Sequence, residues 1–122
     1  MIERISSYKQ NSKIIPESGG CLLGFYRPPH IHITHLTTPM PGDQKSRMRF
    51  CRKDKQHLKI IKEFQQETKT GTYLGEWHTH PETIPTPSHI DKKNWDQIFK
   101  LRAPTDTIFL ILGTTHISIY LM

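Results

Sequence analysis

Five segments of the chain have the short runs of apolar, β-branched and aromatic residues that are typical of strands. They are GGCLLGFYR (19–27), HIHITHLT (30–37), TYLGEWHTH (72–80), TIFLILG (107–113) and HISIYLM (116–122). Pro28 and Pro29 separate the first two segments, and Gly113 and Thr114 separate the last two. Because proline and glycine favour turns at such positions, each of these two pairs is predicted to be antiparallel.

Three other segments have apolar residues at three- and four-residue steps, which predicts amphipathic helices. They cover residues 2–12, 54–68 and 88–102, with Asp54 and Ser88 as N-caps of the last two. The residues predicted to face the core are Ile2, Ile5 and Tyr8, then His57, Ile60, Ile61 and Phe64, and finally Trp95, Ile98 and Phe99. Strands and helices are therefore interleaved, and we expect an α/β fold with a mixed β-sheet flanked by helices.

The length of 122 residues fits a single domain, 1–122, with one hydrophobic core. No apolar run approaches the roughly eighteen residues of a membrane span, and the polar N-terminus MIERISSYKQN lacks the apolar run of a signal peptide. We therefore expect a soluble, cytoplasmic protein with no membrane partner. Cys21 and Cys51 form no CxxC pair, and both are expected to be reduced.

The chain carries 17 lysines and arginines against 11 acidic residues, and its densest basic cluster is KSRMRFCRKDK at 45–55. Alternation predicts a solvated segment in which Met48 and Phe50 point inward while Arg47 and Arg49 point to water. The alternative is a docking surface for an acidic partner or for phosphates. Because the chain has no RNP motif and no helix-turn-helix signature, nucleic acid is not an expected partner.

The segment GEWHTHPETIPTPSHID, at 75–91, has the spacing of a metal site. Residues two apart on a strand project from the same face, roughly 6.6 Å apart at the backbone, so His78 and His80 can converge on one ion while Thr79 points away. Asp91 adds a carboxylate from the first turn of the next helix. Two nitrogens and one oxygen leave one open position on a tetrahedral zinc ion, which is the pattern of a catalytic site.

The same residues also fit an explanation without a metal. Ser88 and Asp91 have the spacing of a capping box, and His78 and His80 can be ordinary strand residues. The two interpretations of Ser88 are compatible. The complete pattern of H-x-H, seven residues, S, two residues and D is more specific than either part, and it favours the metal site.

Hydrolysis of an amide at such a site also needs a base that collects the proton from water and passes it to the leaving amine. Glu76 shares the face of the two histidines by strand parity. Glu17 lies far away in sequence, next to Gly19 and Gly20, which permit close backbone approach. Glu82 is a weaker candidate that is expected to face solvent. Spacing alone leaves Glu17 and Glu76 as alternatives.

Glu17 before a Gly-Gly strand, HTHP at 78–81 and PSHID at 87–91 resemble the motif of the JAMM (JAB/MPN) metalloproteases. That motif is a remote glutamate followed by H-x-H, seven residues, S, two residues and D. The string GEWHTHPE, the PTPS loop and Trp95 in the next helix are similar to the prokaryotic JAB deconjugating peptidases of CBASS antiphage operons. The resemblance implies a cytidine-deaminase-like α/β fold in a single JAB/MPN metalloprotease domain.

The resemblance also implies roles for individual residues. His78, His80 and Asp91 would hold Zn²⁺, Glu17 would be the general acid/base, and Ser88 would stabilise the oxyanion of the tetrahedral intermediate. The implied substrate is a peptide or isopeptide bond after the C-terminus of a ubiquitin-like protein or, in CBASS systems, of a cyclic-oligonucleotide synthase joined to its targets. Two alternatives stay open: processing of a sulfur-carrier protein, and a non-catalytic basic scaffold or binding module. Base deamination is disfavoured because the chain has no Pro-Cys-x-x-Cys pair.

Overall fold

A five-stranded mixed sheet forms the centre of the computed structural model, which describes residues 2–122. In chain order the elements are α1 (Ile2–Ser6), β1 (Gly19–Arg27), β2 (His30–Leu36), β3 (Gln44–Ser46), β4 (Arg49–Cys51), α2 (Gln56–Thr68), β5 (Thr72–Thr79), α3 (His89–Arg102), β6 (Ile108–Leu112) and β7 (Ile117–Leu121). The five strands predicted from the sequence all form, and the predicted mixed sheet flanked by helices is confirmed.

The strand order in the sheet is β2-β1-β5-β6-β7, and β3 and β4 form a separate hairpin. Both predicted antiparallel pairs, β1 with β2 and β6 with β7, are present. The central pairing of β1 with β5 is also antiparallel, whereas β5 and β6 run parallel. A parallel pair requires a crossover connection, and α3 provides it between β5 and β6.

Strand parity divides the core between the two faces of the sheet. On one face, α2 packs Ile61 and Phe64 against Cys21 and Leu23 of β1, and α3 packs Trp95 against β6. On the other face, the short α1 contributes Ile5 to a cluster with residues of β1, β5 and β6. His78 projects on the face that carries α2 and α3, because it is in register with Gly19 of β1 and Ile111 of β6.

The first helix is shorter than predicted. It ends at Ser6, whereas apolar periodicity predicted a helix across residues 2–12. The buried side chain of Gln10 explains the difference, because its amide donates to the carbonyls of Ile15 and Arg47 at 3.2 and 2.7 Å. These long-range bonds replace a further helical turn. The second helix also begins later than predicted, at Gln56, although Asp54 still accepts a bond from the Gln56 backbone N–H at 2.9 Å.

The basic segment 45–55 forms the β3–β4 hairpin and the start of the connection to α2. Met48 lies at the turn with 73% of its surface exposed, so the prediction that it points inward is wrong. Arg47 is half-buried rather than fully solvated, since its guanidinium donates to the carbonyls of Ser12 and Ile15. In a two-residue turn, strand alternation no longer decides which side chain faces the core. Phe50, within β4, is half-buried as expected.

A buried polar network ties α2 to the sheet. His57, fully buried, bonds Asp43 at 2.6 Å and the hydroxyl of Thr37 at 2.7 Å. Thr37 in turn accepts bonds from the backbone N–H of Cys21 and the indole N–H of Trp77, both at 2.8 Å. Trp77 directly precedes His78 in β5, so this network anchors the strand that carries His78.

Cys21 and Cys51 are both free, as expected. Among the described residues, no helix has the length and apolar character needed to cross a bilayer.

Candidate metal centre

Four side chains converge at the end of β5. One ligand atom from each of Glu17, His78, His80 and Asp91 lies within 4.8 Å of the other three. The two histidines lie two residues apart along the strand, and their Nε2 atoms are 3.1 Å apart. The local part of the predicted constellation therefore forms as strand periodicity indicated.

Glu17 reaches the histidines through the pairing of β1 with β5. Gly19 is in register with His78, and the backbone N–H of Thr79 donates to the carbonyl of Ser18 at 2.9 Å. Continuing the antiparallel register of Gly19 and His78 by two residues places Glu17 across from His80. A pairing between segments some sixty residues apart is what brings this remote carboxylate to the site.

Asp91 has two functions in the geometry. Its Oδ2 accepts from the Ser88 backbone N–H at 2.8 Å, and Ser88 Oγ accepts from the Asp91 backbone N–H at 3.1 Å, so the predicted capping box is present. The same Oδ2 lies 3.2 Å from His78 Nε2 and 3.0 Å from His80 Nε2. The cap fixes the carboxylate at the helix start, and this position aims it at the imidazoles.

The donor set and its spacing fit a zinc ion. Zinc–nitrogen and zinc–oxygen bonds of about 2.0–2.1 Å at tetrahedral angles separate neighbouring ligand atoms by about 3.3 Å. The three separations among His78 Nε2, His80 Nε2 and Asp91 Oδ2 are 3.0–3.2 Å. Two imidazole nitrogens and one carboxylate oxygen therefore have the chemistry and approximate geometry of three ligands with one position left open.

Electrostatics of the cluster favour a bound cation. Burial tends to raise the pKa of Asp91, but hydrogen bonds from His78 and His80 hold it well below its usual range. Burial tends to lower the pKa of His80, yet its bonds to Asp91 and Glu82 raise it to about 9. The carboxylates around His80 therefore stabilise positive charge at this position.

The pKa of Glu17 shifts in the opposite direction from that of Asp91. Burial raises its pKa to about 8, with the charge of His80 opposing the shift and that of Asp91 adding to it. Glu17 as a whole residue is 4% exposed. A carboxyl group in this environment can hold a proton near neutral pH, which is the property needed for proton transfer.

Glu76, the alternative base, lies outside the cluster. Arg52 Nε donates to its Oε1 at 2.7 Å, and the Tyr73 hydroxyl donates to its other oxygen. Although strand parity puts Glu76 on the same face as His78, its carboxylate is engaged by these two partners. The geometry therefore brings Glu17, and not Glu76, to the histidines.

The backbone around Glu17 is held on two sides. Its N–H donates to the carbonyl of Ser46 in β3 at 2.7 Å. Gly19 allows the hairpin to approach closely, because a Cβ at that position would lie 2.6 Å from the ring of Phe50 and 2.7 Å from the carbonyl of Trp77. The expectation that glycine permits close approach beside Glu17 is met at this contact.

Two open clefts adjoin the site. The first, which we call the hairpin cleft, has a volume of about 240 Å³ and lies between the β4 region and α3, with Phe50, Arg52, His78, Asp91, Asn94 and Trp95 among its lining residues. The second, the loop cleft, has a volume of about 250 Å³ and is lined by residues that include Glu17, Met48, His80, Glu82 and Ser88. The four converging residues border both clefts, since His78 and Asp91 line the hairpin cleft and Glu17 and His80 line the loop cleft.

Two residues escaped the sequence interpretation. Glu82 is exposed to solvent, as expected, but the bond from its carboxylate to His80 Nδ1 at 2.9 Å was not predicted. His57 was assigned only to the core face of a helix, and it forms the buried network described above. The position of Glu82, two residues after a candidate ligand, was the available signal for the first; nothing local signalled the second.

The chain matches the family model described as prokaryotic homologs of the JAB domain over residues 2–120. The chain belongs to this prokaryotic JAB-domain family. The four converging side chains of this JAB domain are those that the sequence motif singled out.

Three curated relatives extend over most of this JAB domain, and each is named a CD-NTase/cGAS isopeptidase. The protein from Escherichia coli strain TW11681 is 40% identical over 98% of this chain and 76% of its own length. That from Vibrio cholerae is 38% identical, covering 93% and 72%, and that from Pseudomonas aeruginosa is 34% identical, covering 99% and 78%. These relatives bear out the resemblance to the isopeptidase branch of the family.

A solved structure supports the fold. The solution structure of protein DSY2949 from Desulfitobacterium hafniense matches this JAB domain with a TM-score of 0.66, over 98% of this chain and 77% of that chain. At 20% identity, this similarity concerns the fold alone.

Proposed function

We propose that this JAB domain is a zinc-dependent isopeptidase. Its substrate is the amide bond that joins the C-terminus of a CD-NTase, the cyclic-oligonucleotide synthase of CBASS systems, or of a ubiquitin-like protein to a target protein. The convergence of Glu17, His78, His80 and Asp91 carries the proposal. The names of the three relatives support the choice of a CD-NTase conjugate as the first substrate to test.

His78, His80 and Asp91 are the residues that hold zinc in this proposal. When bound, zinc supplies Lewis acidity toward a carbonyl and lowers the pKa of a coordinated water. The chain supplies the remaining functions, which are proton transfer, stabilisation of the oxyanion and positioning of the substrate.

Glu17 is the general acid/base. Its carboxylate accepts a proton from the attacking water while the water oxygen bonds to the carbonyl carbon. It then delivers that proton to the amine nitrogen as the carbon–nitrogen bond breaks, which leaves a carboxylic acid and an amine, and the acid finally transfers its proton to the released amine. Burial and the raised pKa of about 8 support both halves of this cycle near neutral pH.

Ser88 stabilises the developing oxyanion. Its Oγ accepts a hydrogen bond from the Asp91 backbone N–H, and its own hydroxyl proton remains available for donation. Ser88 lines the loop cleft together with Glu17 and His80, so it shares the space in which the reacting carbonyl would lie. Removal of one such donor typically costs about 10²–10³ in kcat.

The two clefts support a substrate that continues on both sides of the scissile bond. An isopeptide bond has an extended C-terminal tail on one side and a lysine side chain on the other. The hairpin cleft and the loop cleft adjoin the cluster and offer separate spaces for these two parts. A sulfur-carrier precursor and a non-catalytic binding role have no comparable support from the relatives.

A cleavage assay with four protein samples tests this function. A CD-NTase joined through its C-terminus to a lysine of a carrier protein is incubated with wild-type protein, with chelated protein, with chelated protein after return of zinc, and with Glu17→Gln. We expect cleavage only in the first and third samples, and zinc retained by Glu17→Gln. A parallel conjugate of a sulfur-carrier protein distinguishes the alternative substrate.

Glu76→Gln is the matched control for the base. It removes a carboxylate from the same strand face while leaving the cluster untouched, and we expect it to retain activity within about tenfold of wild type, since it contacts no reacting atom. Activity in Glu17→Gln combined with inactivity in Glu76→Gln would show that the wrong glutamate was assigned. Cleavage that persists fully after verified zinc removal would contradict the proposed function.

A further inference from the structure

His80 is held from both edges of its imidazole ring. Its Nε2 faces the metal cluster, 3.0 Å from Asp91 Oδ2 and 3.1 Å from His78 Nε2. Its Nδ1, on the opposite edge, bonds Glu82 Oε1 at 2.9 Å. Glu82 therefore lies at the edge of the ring that faces away from the cluster, and it is not one of the four residues that surround the proposed metal position.

The loop that carries Glu82 is anchored to the turn between β6 and β7. The carbonyl of Glu82 accepts from the Thr114 backbone N–H at 2.8 Å, and the carbonyl of Thr83 accepts from that of His116 at 3.1 Å. A Cβ on Gly113 would lie 2.5 Å from the Glu82 carbonyl, so the turn packs directly against the loop. The Glu82 backbone is thus fixed relative to the sheet, and its side chain reaches His80 from a defined position.

We propose that Glu82 is a positioning residue that orients His80 as a metal ligand; the inference rests on the proposed function. Its carboxylate accepts a hydrogen bond from the Nδ1–H of His80. This bond selects the tautomer in which Nε2 has a free lone pair, and it holds that lone pair toward the ion. A metal-bound histidine generally needs such a partner, and loss of the partner typically weakens metal affinity about 10–100-fold.

The bond has little value for stability alone. The Glu82 side chain is 48% exposed, whereas that of His80 is 9% exposed, and a partly solvated pair of this kind adds little to the free energy of folding. A positioning role and a purely structural role therefore predict different results. Removing Glu82 should change the nitrogen NMR signals of the His80 ring and weaken the affinity for metal. It should leave the melting temperature of the metal-free protein nearly unchanged.

Three variants of the full chain separate these effects. Glu82→Ala removes the acceptor, and Glu82→Gln retains an amide oxygen that can still accept from Nδ1. Ser118→Ala is the matched control, because it removes the bond from Ser118 Oγ to the Pro85 carbonyl at 2.7 Å and loosens the same loop without contacting His80. Each protein is titrated with zinc against a competing chelator, and nitrogen NMR of the zinc-loaded protein reports which ring nitrogen of His80 carries the proton.

We expect Glu82→Ala to bind zinc about 10–100-fold more weakly and to shift the Nδ1 signal of His80, because the Nδ1–H loses its hydrogen-bond acceptor. Glu82→Gln should recover most of the affinity, and Ser118→Ala should match wild type within about twofold. Unchanged affinity and unchanged His80 signals in Glu82→Ala would overturn the role of Glu82 alone. Equal losses in Ser118→Ala and Glu82→Ala would also overturn it in favour of general loop order. A wild-type protein that takes up no zinc would overturn this inference and the proposed function together.

Discussion

Thr79 and Ser18 are joined by two hydrogen bonds of 2.9 Å. The Thr79 backbone N–H donates to the Ser18 carbonyl, and the Ser18 backbone N–H donates to the Thr79 hydroxyl. Thr79 separates the two histidines in sequence, and Ser18 directly follows Glu17. Thr79, which points away from the four converging side chains, thus fixes the backbone next to Glu17, the proposed general base. The Thr79 hydroxyl also bonds the buried side chain of Gln10 at 3.2 Å.

Replacement of this hydroxyl should affect catalysis without removing a ligand. Thr79→Val keeps the side-chain shape but leaves the buried Ser18 N–H without an acceptor, which costs about 1–3 kcal/mol of stability. We expect a lower melting temperature and at least about a tenfold loss of kcat, because Glu17 loses its anchor. Thr79→Ser keeps the hydroxyl and should retain most activity. Equal kcat in Thr79→Val and wild type would show that Glu17 is held without this bond.

Glu17 should destabilise the metal-free protein. Its pKa rises from 4.5 to about 8 on folding because of burial, so between these values the folded state retains a proton that the unfolded state releases. This cost grows as the pH rises through that range. Glu17→Gln removes it, and the melting temperature of the chelated protein should increase by about 4 °C or more at pH 8 and by less at pH 5.

The exposed Glu63→Gln change on α2 is the control for the loss of one negative charge. A lower melting temperature for Glu17→Gln than for wild type at pH 8 would contradict this account of the buried carboxyl group. We expect activity to fall in Glu17→Gln, so the group that lowers stability would be the one that the proposed reaction needs.

Two variants of Asp91 distinguish its role as a helix cap from its proposed role as a metal ligand. Asp91→Asn retains a side-chain oxygen that can accept from the Ser88 N–H, whereas Asp91→Ala does not. Both should lose most zinc, and in the chelated state Asp91→Ala should be less stable than Asp91→Asn by about 0.5–1 kcal/mol because the helix cap is lost. Zinc content is measured by metal analysis and stability by denaturant unfolding. If Asp91→Ala contained as much zinc as the wild type, Asp91 would serve only as a helix cap and not as a metal ligand.

The buried Asp43–His57 pair should make stability depend on acid pH. Burial alone would raise the pKa of Asp43. Hydrogen bonds from the backbone N–H groups of Asp54, Met40 and Lys53 and from the His57 side chain lower this pKa below its usual value. The contribution of Asp43 is therefore fully present above its unfolded pKa of about 3.9 and is lost as the pH falls through the lower folded value. The difference in free energy of unfolding between wild type and Asp43→Asn should be large at pH 6 and smaller at pH 3.

Asp96→Asn is the control for that comparison, since Asp96 forms an exposed pair with Lys100 on α3. It should change the free energy of unfolding by less than about 1 kcal/mol at either pH. A difference for Asp43→Asn that stays constant between pH 6 and pH 3 would contradict the assigned role of its ionised form.

Gly19 should not accept a side chain. In Gly19→Ala the new Cβ would lie 2.6 Å from the Phe50 ring and 2.7 Å from the Trp77 carbonyl, and a loss of about 1–3 kcal/mol is expected from such crowding. Phe50→Leu combined with Gly19→Ala should recover part of the stability, because it relieves the first contact only. Thermal unfolding of both variants tests this, and a fully stable Gly19→Ala protein would show that the hairpin can move away from β1.

Local geometry made much of the fold and three of the four converging site residues predictable. The strands, the two longer helices and the capping box follow from periodicities and end signals that act over a few residues. Met48 and Arg47 were misjudged because the alternation of a strand does not continue through a hairpin turn. The length of α1 was misjudged because the side chain of Gln10 bonds residues far along the chain, and these bonds outweigh apolar periodicity.

The sequence by itself determined that His78, His80 and Asp91 would approach one another, because strand parity and the helix cap are short-range geometry. Spacing alone left Glu17 and Glu76 as alternatives, the resemblance to the JAMM motif implied Glu17, and only the tertiary structure shows which of the two lies beside the histidines. The register of β1 against β5 carries Glu17 to His80, while Arg52 and Tyr73 engage Glu76 on the same face. It also showed that the solvent-exposed Glu82 bonds His80. Strand pairing over sixty residues and competition among partners for one carboxylate depend on the free energy of the whole fold, and no short segment encodes them.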